Sequence, residues 1–221
     1  NVGSLAELSN ILVHDKDHDV REIAAFAIGE VESLSGANSL LTALKSSAQT
    51  DQVRARAIEG LGKIGAALPK EQQARSTEIS TAILEALKLE MQSQSPNRHF
   101  LLLGITAILR TRPANAGQTL TLLLDNKDAR IRADATNALA RMRVKDGNTK
   151  LVNLLESDPD PDVRANAARV LGVTEEKSAF EKLLASATHD KDVRVRVSAI
   201  RALATLKDPR AGETLLKYGT S

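Results

Sequence analysis

The sequence contains no cysteine and no tryptophan, and its aromatic residues are three phenylalanines and one tyrosine. The absence of cysteine excludes disulfide bonds and thiolate metal sites, and it fits a cytoplasmic and a periplasmic protein equally well. Because aromatics make up only 2% of the chain, aliphatic residues and alanine supply most of its 42% apolar share. Such a composition suits two thin layers of helices, which approach closely where their side chains are small.

The sequence also lacks a long apolar run and a strong excess of one charge. No apolar segment approaches the roughly 18–20 residues that cross a bilayer, so we expect no membrane-spanning helix. No charged-then-apolar leader is visible, and this leaves the compartment open. The net charge of +2 is the balance of −2 over residues 1–110 and +4 over residues 111–221. That excess is far below the basic footprint of a dedicated nucleic-acid binder, so we do not expect nucleic acid as a partner.

What the sequence does contain is a recurring pattern of helix signals. In residues 160–172 a helix start, a small-residue face and a helix stop surround the anchor Val163. A small residue follows the anchor by four positions, a large aliphatic follows it by eight, and a helix-capping residue precedes it by three. The six anchors are Val20, Val53, Phe100, Ile131, Val163 and Val195, separated by 33, 47, 31, 32 and 32 residues. The corresponding caps are Asp17, Thr50, Asn97, Asp128, Asp160 and Asp192.

This period is typical of a helical repeat protein, in which each repeat packs on its neighbours. Each repeat is predicted to contain a first helix, a short turn and a second helix that begins after the cap. The predicted repeats cover approximately residues 4–33, 37–65, 70–111, 115–143, 147–173 and 176–206, with a partial seventh over 209–221. We expect a single solenoid and, because the sequence starts directly in a repeat and stops soon after one, a fragment of a longer protein.

Two local features refine this prediction. A second helix predicted over residues 53–64 is closed by Gly62 and Gly65, either of which is expected to act as its left-handed stop. Repeat three is longer than its neighbours by about fourteen residues, and the apolar spacing from Ile79 to Met91 predicts a first helix extended at its N-terminal side. Its second helix, over residues 98–110, is apolar most of the way round, so we expect the extended helix to cover it.

The segments 19–29, 53–62 and 162–172 resemble HEAT repeats, and more closely the short bacterial variety called PBS-lyase HEAT-like. The resemblance covers essentially the whole chain and departs only in repeat three, where Leu101 stands in place of an arginine. It implies an all-α fold, a right-handed α-solenoid of about six helix pairs plus a partial seventh, with the second helices on the concave side. A weaker resemblance is to bacterial HEAT segments fused to cyclophilin-type prolyl isomerases, although no cyclophilin sequence is present here.

An arginine stands one position after every anchor except that of repeat three. A row of arginines could bind phosphate groups. The resemblance to HEAT repeats instead implies a ladder, in which these arginines and nearby aspartates tie adjacent repeats together. We predict this structural ladder for Arg21, Arg54, Arg132, Arg164 and Arg196.

Residues that could carry catalysis are sparse. His14 and His18, with Asp15, Asp17 and Asp19, could be metal ligands, but HEAT-fold deoxyhypusine hydroxylases hold iron through His-Glu pairs, and no His-Glu dipeptide occurs here. HEAT-fold DNA glycosylases need stacking aromatics in a basic groove, which this sequence does not offer. The absence of cysteine and of clustered tyrosines also argues against a phycobilin lyase. We therefore expect no enzyme activity, no metal and no cofactor.

The remaining candidate is the side of the second helices opposite their buried stripe, at positions +2, +3, +6 and +10 from each anchor. Two interpretations are open there, a solvated surface without a partner and a groove for a peptide or protein. Ile23 and Phe26, which are predicted to point outward, support the groove. This surface is predicted to be acidic, with an aromatic, at its N-terminal end and polar to basic at its other end. It comprises Glu22, Ile23, Phe26, Glu30, Arg56, Glu59, Lys63, Asn137, Arg141, Asn166, Arg169 and Arg201.

The sequence therefore predicts a non-enzymatic scaffold that binds a protein or an extended peptide along its concave face. The alternative is an accessory HEAT module that positions a separate catalytic domain, such as a prolyl isomerase. Because HEAT repeats bind many kinds of partner, the fold does not identify this one.

Overall fold

The computed structural model describes residues 2–212, which form helices and connecting turns and contain no β-strand. The chain divides into two compact units, Asn1–Thr119 and Leu120–Ser221. The helices of the first unit are α1 (Val2–His14), α2 (His18–Val31), α3 (Ala37–Lys45), α4 (Asp51–Ala67), α5 (Gln73–Met91) and α6 (Arg98–Thr111). Helix α7 (Ala116–Leu122) spans the division, and the second unit continues with α8 (Ala129–Met142), α9 (Asn148–Ser157), α10 (Pro161–Val173), α11 (Phe180–His189) and α12 (Val193–Leu206).

Within each unit the helices form two layers. In the first unit the second helices α2, α4 and α6 pack side by side, and α1, α3 and α5 form the other layer. In the second unit α8, α10 and α12 pack in the same way, with α9 beside α11. The prediction of an all-α solenoid class is therefore confirmed. Of the predicted seventh repeat, the described residues include only a helix start at residue 210, and residues 213–221 lie outside them.

Each of the six second helices begins directly after its predicted cap. The side chain of every cap accepts a hydrogen bond from a backbone N–H of the first turn, as Asp160 Oδ1 does from the N–H of Asp162 at 2.8 Å. These bonds satisfy donors that have no partner inside the helix. Pro161 occupies the first helical position, where a missing N–H costs nothing.

The two apolar positions of the pattern build the core between the layers. The large aliphatics at +8 from the anchors, such as Leu61 and Leu171, have no exposed surface. The small residues at +4, such as Ala57 and Ala167, are buried as well. A small residue followed one turn later by a large one therefore gives each second helix its buried stripe.

The glycines predicted to stop helices have a different role. Gly62 and Gly65 lie inside α4, which continues to Ala67, so the prediction that either ends the helix is wrong. A Cβ atom on Gly62 would lie 2.8 Å from the Cα of Ala107 on α6, and one on Gly29 would lie 2.6 Å from the Cα of Gly60 on α4. These positions lack a side chain because neighbouring second helices approach there. Left-handed residues at helix ends are instead Glu32, Arg112, Arg143 and Lys207.

Repeat three is built as the apolar pattern predicted. Helix α5 has 19 residues against nine in α3, and α4 is also long, at 17 residues. The additional residues therefore lengthen the two helices on either side of one connection. A Cβ atom on Gly104 of α6 would lie 2.4 Å from the Leu87 side chain of α5 and 3.3 Å from the Ile58 side chain of α4. The apolar helix α6 is thus covered from two sides.

Burial on α5 gives a first prediction. Ile83 and Leu87 have no exposed surface, so replacing either with alanine should reduce the free energy of unfolding by about 2–5 kcal/mol through lost burial and the cavity left behind. Urea denaturation followed by circular dichroism measures the change. The matched control is Leu89→Ala on the same helix, because Leu89 is 67% exposed and its loss should change stability little. Equal effects of Leu87→Ala and Leu89→Ala would contradict this account of α5.

Candidate partner-binding site

The arginines that follow the anchors link successive turns of the second unit. The guanidinium of Arg132 donates two hydrogen bonds to the carboxylate of Asp158, both at 2.8 Å, and Arg164 binds Asp190 in the same way at 2.8 and 2.9 Å. Each arginine also donates backward to a carbonyl of its own turn, as Arg164 Nη1 does to the carbonyl oxygen of Asp158 at 2.8 Å. Asp158 therefore joins two arginines, one through its side chain and one through its backbone.

The first unit shows weaker forms of the same link. Arg21 donates to the carbonyl oxygen of Asp15 at 2.8 Å and to the Gln49 side chain at 2.9 Å. Arg54 lies 3.4 Å from Glu90 and stacks 4.9 Å from the centre of the Phe100 ring. An amide and a more distant carboxylate replace the aspartate here, because the turns of repeats two and three lack an aspartate at the position of Asp158.

Because of these contacts, few hydrogen-bond donors of these arginines are available to bind an external phosphate. The Arg132 and Arg164 side chains are almost wholly buried with their carboxylates, so their charge is already matched inside the protein. Hydrogen bonding to Asp158 raises the pKa of Arg132, and hydrogen bonding to Asp190 raises the pKa of Arg164. The geometry is that of a structural link between helix pairs.

Breaking one buried link should destabilise the protein. Asp158→Ala leaves the guanidinium of Arg132 buried without its carboxylate, and we expect a loss of about 3–5 kcal/mol in the free energy of unfolding. The control is Asp162→Ala, which removes the exposed partner of Arg194 and should cost about 0–1 kcal/mol. Chemical denaturation of both variants makes the comparison, and a cost for Asp158→Ala no greater than the control would refute a stabilising link.

The pKa of Asp190 predicts acid sensitivity. Burial acts to raise this pKa, but hydrogen bonds from Arg164 and from the backbone N–H of Asp192 outweigh it, so the pKa lies below its usual value. The unfolded chain therefore takes up this proton first, at a pKa of about 3.9, and the stabilisation is lost as the pH falls from there through the folded-state pKa. Denaturation curves between about pH 5 and pH 2 should show a shallower decline for Asp190→Asn than for wild type. An equal decline in the two, with the exposed Asp146→Asn as control, would contradict this assignment.

On the outward side of α2 and α4, a cluster of charged residues surrounds Phe26. The Phe26 ring is 39% exposed, and its centre lies 5.5 Å from the Arg56 guanidinium and 5.3 Å from the Lys63 ammonium group. Contacts at this distance are favourable cation–π interactions, and they fix the ring between two repeats. We call Phe26 with Glu22, Glu30, Arg56, Glu59 and Lys63 the Phe26 cluster.

Each of the three carboxylates of the Phe26 cluster is paired with one or both of the two cations. Arg56 lies 3.1 Å from Glu22 and 3.0 Å from Glu59, and Lys63 pairs with Glu59 at 3.1 Å and with Glu30. In Glu59, burial acts to raise the pKa, but hydrogen bonds from Lys63 and Arg56 outweigh it and hold the pKa below its usual value. At this end three glutamates stand against two cations, and the ion pairs among them frame Phe26. The signal for these ion pairs was present in the sequence, since cations in repeat two follow the glutamates of repeat one by 33 or 34 residues.

In the second unit the outward side of α10 and α12 carries unbalanced positive charge. Arg169 and Arg201, both exposed, line a groove of about 90 Å³ together with Gly172, Val173, Ser198, Ala202 and Thr205. None of these lining residues is acidic. Asn166 and Asn137 of the predicted surface serve partly to join helices, because Asn166 donates to the carbonyl of Ala133 at 3.0 Å and Asn137 accepts from Arg169 at 3.2 Å. Arg141 is exposed on α8.

The acidic turn before α2 brings together possible metal ligands. Ligand atoms of Asp17, His18 and Asp19 lie within 4.8 Å of one another, and all three residues are exposed. The Asp17 carboxylate already caps α2, and His18 Nδ1 lies 2.8 Å from Asp19. The geometry is thus explained by helix capping and by a surface contact between His18 and Asp19.

One cavity lies away from the predicted surface. It has a volume of about 500 Å³ and lies between the C-terminal end of α3 and helix α5, lined in part by Arg54, Glu85 and Leu89. Of its lining residues, only Arg54 was predicted from the sequence to have a role, as part of the ladder. Leu89, which lines this cavity, is exposed although neighbouring residues of α5 are buried.

Paired helices in two layers, capped second helices and arginine links between turns together define an α-helical repeat protein. The profile described as HEAT repeats matches residues 5–88 and 148–221. The chain belongs to the HEAT-repeat family. No curated protein matches it in sequence.

Among solved structures, the chain is similar to the crystal structure of an engineered protein. They share 21% identity and a TM-score of 0.68, over 92% of this chain and 96% of that one. It also matches human deoxyhypusine hydroxylase in complex with glycerol, at 20% identity and a TM-score of 0.43 over 93% of this chain and 85% of that one. A third match is the complex of CpcE and CpcF of phycocyanin lyase from Nostoc sp. PCC7120, at 18% identity and a TM-score of 0.40, covering 97% and 93%. At this level of identity the engineered protein shows the fold alone.

Proposed function

We propose that the chain is a non-enzymatic scaffold that binds a protein or an extended peptide along the outward side of its second helices. Membership of the HEAT-repeat family supports a scaffold role in general. Among residues 2–212, no helix is long and apolar enough to cross a membrane. The finer assignment, to this surface and to a peptide-like partner, depends on the residues that the surface presents.

The Phe26 cluster is the observation that carries the proposal. Phe26 and the neighbouring Ile23, which is 64% exposed, place apolar surface in solvent on a side where the other residues are charged. The cations that stack on Phe26 are themselves held by glutamates, so the ring is fixed before a partner arrives. A rigid aromatic that loses little entropy on binding is the kind of residue that dominates interface energetics. An apolar side chain of the partner would bind against Phe26 and Ile23.

The groove of the second unit would take an acidic residue of the partner. Arg169 and Arg201 are exposed there with no carboxylate among the lining residues. Complementary charge at such a groove would speed encounter and select the partner more than it would add affinity. We therefore expect an apolar anchor in a partner of the first unit and an acidic side chain in a partner of the second.

The second candidate is an accessory role, in which the repeats hold a separate catalytic domain in position. It is distinguished from the first by what binds the outward surface. A scaffold for peptides should select short unstructured sequences, whereas a positioning module should select a folded domain and no peptide.

The test is a peptide-display selection against the purified chain, followed by affinity measurement with each variant. Phe26→Ala should weaken binding of selected peptides by about tenfold or more, because it removes the apolar anchor. Arg169→Glu should weaken binding of acidic peptides in particular. Lys70→Glu, an exposed change in the connection between α4 and α5, is the control and should leave affinity unchanged.

Thermal denaturation of Phe26→Ala separates a binding effect from a folding effect. The proposal requires lost affinity with helical content and melting temperature close to those of wild type. Selected peptides that bind wild type, Phe26→Ala and Arg169→Glu equally would place the binding surface elsewhere.

A further inference from the structure

The cavity between α3 and α5 in the first unit has a counterpart between α9 and α11 in the second. The lining residues on the later helix of each pair have the same spacing: Ala82, Glu85, Ala86 and Leu89 in α5, and Lys182, Ala185, Ser186 and His189 in α11. The volume is about 500 Å³ in the first unit and about 250 Å³ in the second. The larger of the two has the size of a small-molecule site.

An ion pair crosses the counterpart in the second unit. Lys182 of α11 binds Glu156 near the end of α9, and both residues line that space. The matching residues of the first unit are Ala82 and Lys45, so the same ion pair cannot form there. Lys45 is exposed and forms no ion pair with any of residues 2–212, the part of the chain that the structure describes. Its ammonium group is therefore available to a ligand.

Much of the helix surface that lines the larger cavity is apolar. Leu44, Ala82 and Ala86 line it and are buried, whereas Leu89 lines it and is exposed to solvent. The residues of α11 that match these three of α5 are all polar, namely Lys182, Ser186 and His189. Covering Leu89 would remove apolar surface from water, which favours a ligand with an apolar body.

Arg54 adds hydrogen-bond donors to the wall of this cavity. Its equivalent in repeat five, Arg164, donates to Asp190 at 2.8 and 2.9 Å. The contacts of Arg54 with Asp51 and with Glu90 are longer, at 3.4 Å each. The guanidinium of Arg54 is thus held less closely by the protein. A carboxylate in the cavity would form with it the charge-assisted bond that Asp190 forms with Arg164.

The opposite charge stands on α5. Glu85 lines the cavity, is exposed and, within residues 2–212, forms no ion pair. A ligand with a single charge would match either the cations or Glu85, whereas a zwitterion matches both. We propose that this cavity binds a small zwitterion with an apolar body, either a free apolar amino acid or a short apolar peptide. Arg54 and Lys45 bind its carboxylate, Glu85 binds its ammonium group, and Leu89 packs against its apolar side chain.

The site is separate from the partner surface proposed above. Its lining residues belong to α3, to the turn after it, to α5 and to the start of α4, whereas the partner surface is formed by the outward side of the second helices. The two can therefore be tested independently, and a change in the cavity should leave binding at the Phe26 cluster unaffected.

Isothermal titration calorimetry of the purified chain with L-leucine and with leucyl-leucine tests the site. We expect saturable binding of at least one of them with a Kd below about 1 mM. N-acetylation removes the ammonium group of either ligand, and C-terminal amidation removes its carboxylate. Each change should weaken binding by about tenfold or more, because it leaves a charged group of the cavity without its partner. The stronger ligand identifies the source, a free amino acid or a peptide.

Variants of three exposed residues locate the binding. Lys45→Gln should reduce the preference for the acid over the amide, and Glu85→Gln should reduce the preference for the free amine over its N-acetyl form. Leu89→Ala should weaken binding of both ligands by about three- to tenfold. Lys70→Gln, an exposed lysine in the connection before α5, is the control and should bind as wild type does. Circular dichroism of each variant checks that its helices are intact.

The pattern of preferences distinguishes this site from weak adsorption to apolar surface. The proposal requires that Lys45→Gln and Glu85→Gln each lose one preference and keep the other. It would be overturned if neither ligand bound saturably below about 1 mM, or if the acetylated and amidated forms bound as well as the unmodified ones. Wild-type affinity in Lys45→Gln, Glu85→Gln and Leu89→Ala would overturn it as well.

Discussion

Consecutive second helices approach so closely that one residue in each contact has no room for a large side chain. The pairs Gly29 with Gly60, Gly62 with Ala107 and Gly172 with Ala202 occupy equivalent places, at +9 of one helix and +7 of the next. This constraint sets how closely the second helices of such a contact approach each other. A methyl group added at Gly62 would force α4 and α6 apart, and the burial of their aliphatic residues depends on that distance.

The arginine links determine the register of these packed helices, that is, the position of one helix along the axis of the next. Small residues alone would permit helices to slide along one another, because a smooth contact has several registers of similar energy. A bidentate bond from Arg132 to Asp158 has one geometry, and it lies in the turn, where the position of the next helix is set. The outward surface also depends on the register between second helices. Phe26 of α2 contacts Arg56 and Lys63 of α4 because these two helices are held in one register.

The period, the caps, the buried stripes and the long first helix of repeat three could be predicted from the sequence because each depends on local spacing, but the length of α4 was not predicted. The roles of Gly62 and Gly65 could not, since a glycine that permits a helix contact and one that ends a helix look alike without the neighbouring helix. The candidate surface was predicted as a set of residues, but the ion pairs among them were not. Arg56 and Glu59 are neighbours on one helix, whereas the pair of Arg56 with Glu22 of the preceding repeat depends on how α2 and α4 pack.

Asp158 forms all the hydrogen bonds of one link between helix pairs. Its carboxylate accepts from Arg132 of the preceding pair and from the backbone N–H of Asp160 in its own turn. Its backbone carbonyl oxygen accepts from Arg164. All the hydrogen bonds of this link are therefore contained in one turn and in one arginine on either side. A duplicated or deleted pair that keeps the turn and both arginines would recreate these hydrogen bonds at the new junction, whereas the close contacts between second helices would still have to be matched.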